Sequence, residues 1–262
     1  MSGETMRLDV TAGIARLTFI NAKPGNLMDR RFFAELNDSA IVLTSRADVR
    51  AVLISAEGPA FSYGADLSSW VAAINDLPAE ILAITAQFNN AIARFQRMNA
   101  PVVVAVHGMC TGGMNGFVAG ADFVLASETA RFAAAYLGIG LNCDGSCTVT
   151  LPSRMGMRRA RRFMLLNEVL DAASACAAGL VDEVLATDQL AARAEQLVEV
   201  LARGPTRAYG EMRRLLLSSH DQPLETQLEL EAQAAARLGQ SEDLREGIMA
   251  FVEKRQPVFH GR

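Results

Sequence analysis

Three short apolar runs constrain the fold more than any other feature of this chain. "VRAVLISA" (49–56), "PVVVAVHG" (101–108) and "DFVLA" (122–126) are rich in β-branched residues and do not alternate with polar ones. They read as strands buried on both faces. The first two end in glycine-bearing loops, "EGPAFSYGADL" and "MCTGGMNG", and a long helical pattern lies between them from about Pro78 to Met98. Buried strands joined by helical crossovers imply an α/β fold with a largely parallel sheet, whose ligands sit in loops at the carboxyl ends of the strands.

Before these runs, "LDVTAGIARLTFI" alternates about Ala12 and Gly13 as a β-hairpin does. Asp29 is placed to cap a helix bearing Phe32, Phe33, Leu36 and Ile41. Beyond Gly179 a short strand, "LVDEVL", precedes almost unbroken helical sequence from Thr187 onward. This shift predicts a core over residues 1–200 and a helical part over 201–262 suited to assembly.

Composition narrows the function. With 262 residues, 50% of them hydrophobic, the chain can bury a full core. A net charge of −4 and the lack of a basic run with interleaved aromatics argue against nucleic acid as a partner. The arginines of "GMRRARRFML" read as a solvated or subunit-facing helix surface. No run is long enough to span a bilayer, and the polar N-terminus "MSGETMRLDV" has no secretory pattern. Four cysteines in that context suggest reduced thiols in a cytoplasm, and their spacing without a nearby histidine gives no metal site.

Two features point to chemistry. Gly64 and Ala65 in one loop, and Gly112 and Gly113 in the other, bring backbone N–H groups to places where they could face a ligand; the same glycines could instead only shape tight turns. Asp144, in "GLNCDGSCT", is the one residue charged at neutral pH between Phe132 and Ser153. It could cap a helix starting near Ser146 or act as a base in a pocket.

Taken in order, "VLISAEGPAFSYGADL", "APVVVAVHGMCTGGMNGFVAGADFVLAS", "GIGLNCDGSCTVTLPSRMG", "AGLVDEVL" and "FVEKRQPVF" resemble the crotonase superfamily, the enoyl-CoA hydratases and isomerases. The resemblance runs from "INAKPGNLMD" to the C-terminal residue. It implies a spiral of β-β-α turns with a helical C-terminal subdomain, assembled as homotrimers or pairs of trimers. It also implies an acyl-CoA thioester substrate whose carbonyl oxygen is held by two backbone N–H groups, falling here on Ala65 and Gly113. Coenzyme A arrives as part of the substrate, and no separate cofactor is implied.

The same resemblance divides the family. Hydratases carry two glutamates, and these positions are Gly116 and Tyr136 in this chain. Isomerases carry one acid in the pattern acid-Gly-small-small, to which "CDGSC" is similar, so Asp144 becomes the expected base for moving a double bond. One carboxylate suffices for that reaction, whereas hydration needs a water activated and a proton delivered. Ser62, Tyr63 and Gly64 are expected beside the substrate, and Trp70 and Met114 to wall the acyl pocket or pack in the core. Tyr136 is expected as an acid, a ligand or packing, and Lys23 and Lys254, the two lysines of the chain, at the anionic end of CoA. His107 reads as a hydrogen-bonding residue, and Asp66 and Asp122 as structural. A hydratase or another reaction of the superfamily, and a silent CoA-binding subunit, stand as the alternatives.

Overall fold

The valine-rich runs form strands because their side chains have no polar face to give to water. The computed structural model describes residues 3–262. Among them are nine strands: β1 (Met6–Thr11), β2 (Ile14–Phe19), β3 (Ala51–Ala56), β4 (Val102–Val106), β5 (Met109–Thr111), β6 (Phe123–Ser127), β7 (Arg131–Ala133), β8 (Val169–Asp171) and β9 (Glu183–Leu185). Six of them make one sheet in the order β1-β2-β3-β4-β6-β9. The β1–β2 hairpin is antiparallel and pairs Thr11 with Ile14, while every other pairing in that sheet is parallel. The other three strands form a second sheet, β5-β7-β8.

Both faces of the large sheet are covered, as the unbroken apolar runs require. On one face Val52, Ile54, Val104 and Val124 join the main core with helices α1 (Arg30–Ser45), α3 (Leu77–Arg97) and α4 (Met114–Ala119). Asp29 caps α1 by accepting from the Phe32 N–H at 2.8 Å. Between α1 and α3 runs the short α2 (Leu67–Ala72), capped by Asp66. On the opposite face Leu53, Val103, Ala105 and Leu125 meet Leu190, Ala194, Val198 and Leu201 of α7 (Leu190–Ala202). The position expected to divide core from helical part, 200–201, therefore lies inside a helix whose last turn is core. After α7 the chain continues as α8 (Thr206–Ser218), α9 (Leu224–Leu238) and α10 (Glu242–Glu253).

The spiral is visible in how each turn is spent. β4 is followed by β5 and then a helix, and β6 by β7, so these two long strands each feed one short strand of the second sheet. No helix among the described residues is long and apolar enough to cross a membrane.

One arginine ties the C-terminal helices to the start of this spiral. Arg213 on α8 is only 9% exposed. Its guanidinium donates to the carbonyls of Phe95 (2.7 Å), Ala100 (3.0 Å) and Met98, and to Asp122 Oδ1 at 2.7 Å. Asp122 in turn accepts from the Val102 N–H through Oδ2 at 2.6 Å, which makes it the structural residue expected. Removing the guanidinium leaves three carbonyls and a carboxylate underpaired. Arg213→Ala should therefore cost about 3 kcal/mol of unfolding free energy, measured by urea denaturation; a loss below about 1 kcal/mol would show the network to be dispensable.

Candidate active site

Two loops far apart in sequence meet because of strand register. An isolated parallel bridge pairs Ser62 with Cys110, and the β5–β7 ladder pairs Cys110 with Phe132. Residues three places further along each turn, Ala65, Gly113 and Ala135, thus occupy equivalent points, and all three line one cavity of about 100 Å³ that opens to solvent. The contact between turns is close: a Cβ on Gly64, whose φ is 86°, would lie 3.2 Å from the Thr111 carbonyl oxygen. Glycine is required there by both conformation and space.

The amides in these loops are not equally available. Ser62 Oγ donates to the Asn26 carbonyl at 2.8 Å and accepts from the Gly64 N–H at 3.1 Å, so Gly64 is committed. Gly112 donates to the Ala133 carbonyl at 3.1 Å. Ala65 and Gly113 donate to no acceptor among the described residues, although Gly113 is buried. Unpaired buried N–H groups are rare in native proteins, and a pair of them on a cavity wall is what an oxyanion requires.

Asp144 stands beside them. A Cβ placed on Gly113 would come within 2.7 Å of Asp144 Oδ1 and 3.3 Å of the Tyr136 hydroxyl. The Tyr136 hydroxyl donates to Asp144 Oδ1 at 2.7 Å. Burial raises the pKa of Asp144 above the usual aspartate range, and the Tyr136 bond partly opposes that rise. Burial also drives the Tyr136 phenol far upward and the Cys147 thiol up to about 12, so both keep their protons. The capping reading of Asp144 fails. The residue before α5 (Cys147–Leu165) is Ser146, held at φ 67° without a side-chain cap, and Asp144 meets the helix only through its main-chain oxygen.

Gly116 is closed to any side chain. A Cβ there would lie 2.0 Å from the Gly145 carbonyl oxygen and 2.7 Å from the Cys147 N. The Gly116 carbonyl itself accepts from Thr150 Oγ1 at 3.0 Å and Ser146 Oγ at 3.2 Å. The segment carrying Asp144 thus packs directly on the bare face of α4, and a glutamate at 116 is incompatible with that contact. Among the described residues lining the cavity, Asp144 is the sole carboxylate.

The other expected residues separate cleanly. Tyr63, Gly64, Trp70 and Tyr136 line the cavity with Ala65, Gly113 and Asp144. Met114 does not: it is fully buried in the main core, because the first turn of α4 points it away from the opening. Ser62 is buried and acts by locking the Gly64 amide rather than by lining the cavity. Lys23 is exposed in the loop before Gly25, which packs on the Tyr63 ring, and Lys254 is exposed at the end of α10; neither lines the cavity. His107 bonds the Gly58 carbonyl through Nε2 at 2.8 Å, the role expected. Met28, Phe33, Leu67, Ile84, Ile139 and Leu141 complete the apolar wall, and no local pattern marks them, since they come from separate segments of the chain.

Known proteins resemble this chain along nearly its whole length. The sequence pattern described as enoyl-CoA hydratase/isomerase matches residues 9–262. A Rhodobacter capsulatus protein named "Probable enoyl-CoA hydratase" is 32% identical over 100% of both chains. The 1,2-epoxyphenylacetyl-CoA isomerase of Escherichia coli is 30% identical over 97% of each. The crystal structure of an enoyl-CoA hydratase/isomerase from Cupriavidus metallidurans superimposes with a TM-score of 0.91 at 29% identity, covering 100% of this chain and 98% of that one.

A buried carboxylate with a raised pKa binds its proton more tightly in the folded state than in the unfolded one. Its ionisation therefore destabilises the fold, by an amount absent below the unfolded aspartate range and complete above the elevated folded pKa. Asp144→Asn should gain stability relative to wild type as pH rises through that window. Thermal unfolding of both proteins across pH 3 to 8, a range set by ordinary carboxylate values of about 4, checks this; a constant difference would contradict it.

Proposed function

This chain belongs to the enoyl-CoA hydratase/isomerase family of the crotonase superfamily, and we propose that it is an enoyl-CoA isomerase, moving a double bond from the 3- to the 2-position of a CoA thioester. The observation that carries the proposal is a single carboxylate beside two uncommitted amides.

The thioester oxygen accepts from Ala65 N–H and Gly113 N–H. Their fixed dipoles stabilise the negative charge that forms when a proton leaves the α-carbon, and each such donor is worth about 3 kcal/mol in the transition state. Asp144 takes that proton, giving a dienolate, and returns it to the γ-carbon, leaving the double bond between the α- and β-carbons. The same group serves as base and then acid, so the reaction is balanced without water or a second acid. A pKa raised by burial suits transfer in both directions. Tyr63 and Gly64 border the thioester, Trp70 borders the acyl group, and Lys23 and Lys254 are assigned to the anionic end of CoA, Lys254 from a neighbouring subunit.

Assembly as trimers or pairs of trimers accompanies this proposal. It is supported by the apolar side chains left in solvent on the last three helices, Met212, Leu216, Leu224, Leu228, Phe251 and Val252 among them. Light scattering should give a mass of three or six chains of 28.1 kDa; a monomer would refute it.

Hydration is the competing reading, favoured by the name of the Rhodobacter capsulatus relative. Two substrates separate them. Wild type should convert 3-hexenoyl-CoA to the conjugated 2-enoyl thioester and leave crotonyl-CoA without added water. Asp144→Asn should lower the isomerisation rate by at least about a hundredfold while still binding the thioester. Near wild-type turnover by Asp144→Asn, or water added to crotonyl-CoA by wild type, would overturn the isomerase reading.

A further inference from the structure

The carboxylate in the cavity is held by one other residue only. Tyr136 donates to Asp144 Oδ1 at 2.7 Å and the main-chain N–H of Asp144 itself also favours the ionised form, whereas no other described residue donates to Oδ2. The phenol itself is fixed from three sides. It rests over the bare α-carbon of Gly113, where a side chain would meet both it and the carboxylate. Cys147 Sγ lies 3.6 Å away. The phenol's single proton goes to the carboxylate, the shorter contact, and the Cys147 thiol has the Gly112 carbonyl as an acceptor of its own at 4.0 Å. The third constraint is the backbone: Ala135 has φ 61°, a conformation that a residue bearing a Cβ adopts only when its surroundings impose it.

We propose that Tyr136 is a positioning residue, pinning Oδ1 so that Oδ2 is the oxygen presented to the α- and γ-carbons of the substrate. The proposal rests on Asp144 being the base. Its consequence for pH follows from the direction of the bond. A phenol donating to the carboxylate favours the ionised form, which is the form able to take a proton, and works against the burial that favours the acid. The titratable groups facing Asp144 are Tyr136, Cys143 and Cys147. From α2 and α3 the cavity is walled by apolar Trp70 and Ile84, with Phe88 packed behind Gly113, and among the described residues no lysine, arginine or histidine lines it, so no cation substitutes for the phenol.

The test is the pH dependence of kcat/KM for 3-hexenoyl-CoA in the full-length protein, compared among wild type, Tyr136→Phe and Asp144→Asn. Activity falls on the acid side as Asp144 takes up its proton. Without the phenolic bond that limb should move to higher pH by about one unit, while the affinity for butyryl-CoA, a saturated thioester, stays within about twofold of wild type. Site-specific 3,5-difluorotyrosine at 136 keeps the ring in place but donates more strongly, and should move the limb to lower pH. That second protein decides the matter if Tyr136→Phe does not fold. A limb unmoved by either change, with Asp144→Asn inactive, would overturn the role of Tyr136 and leave Asp144 as the base. Activity retained by Asp144→Asn would overturn both.

Discussion

The register of one short parallel ladder governs everything at the candidate site. Ser62 pairs with Cys110 and Cys110 with Phe132, so three successive turns of the chain run in phase. A slip of one residue would exchange inward and outward side chains and replace the Ala65 and Gly113 amides by groups already committed elsewhere. That register is fixed by the buried strands beneath it, where Leu53 lies opposite Val103 and Val104 opposite Val124. Packing in the large sheet is thus translated into the placement of two N–H groups.

The cavity concentrates what the rest of the molecule avoids. It holds two unpaired amides, a carboxylate raised by burial, and a non-glycine residue in a left-handed conformation at Ala135, with a second behind it at Ser146. Features of this kind persist only where surrounding structure over-determines them, and here two supports are evident. Gly116 lets the 145–147 segment lie directly against α4, and Arg213 with Asp122 joins α8 to the chain around the start of β4. The same close packing that admits Asp144 leaves no room for a glutamate at 116, which connects the fold to the choice of chemistry.

Much of this was legible in the sequence, for physical reasons. Buried strands have few alternatives to unbroken β-branched runs, so "PVVVAVHG" and "DFVLA" predicted β4 and β6 closely, and Asp29 announced the start of α1. The resemblance to the crotonase superfamily pointed to Ala65, Gly113 and Asp144, which the fold brings to one wall. What could not be read were facts of three-dimensional contact. Met114 sits next to Gly113 yet faces the core, since one residue along a helix turns a side chain by about 100°. Tyr136 in an apolar run looked like packing, and its bond to Asp144 crosses a loop whose path depends on the left-handed turns at Gly140 and Gly145. That α7 packs its inner face on the sheet could not be read either, because it carries the same composition as the helices after it.

A structure with a bound acyl-CoA tests the central claim most directly. The account predicts the thioester oxygen about 3 Å from both the Ala65 and Gly113 nitrogens, with Asp144 Oδ2 facing the α- and γ-carbons. A carbonyl oxygen bound away from those amides, or an Asp144 side chain turned out of the cavity, would contradict it.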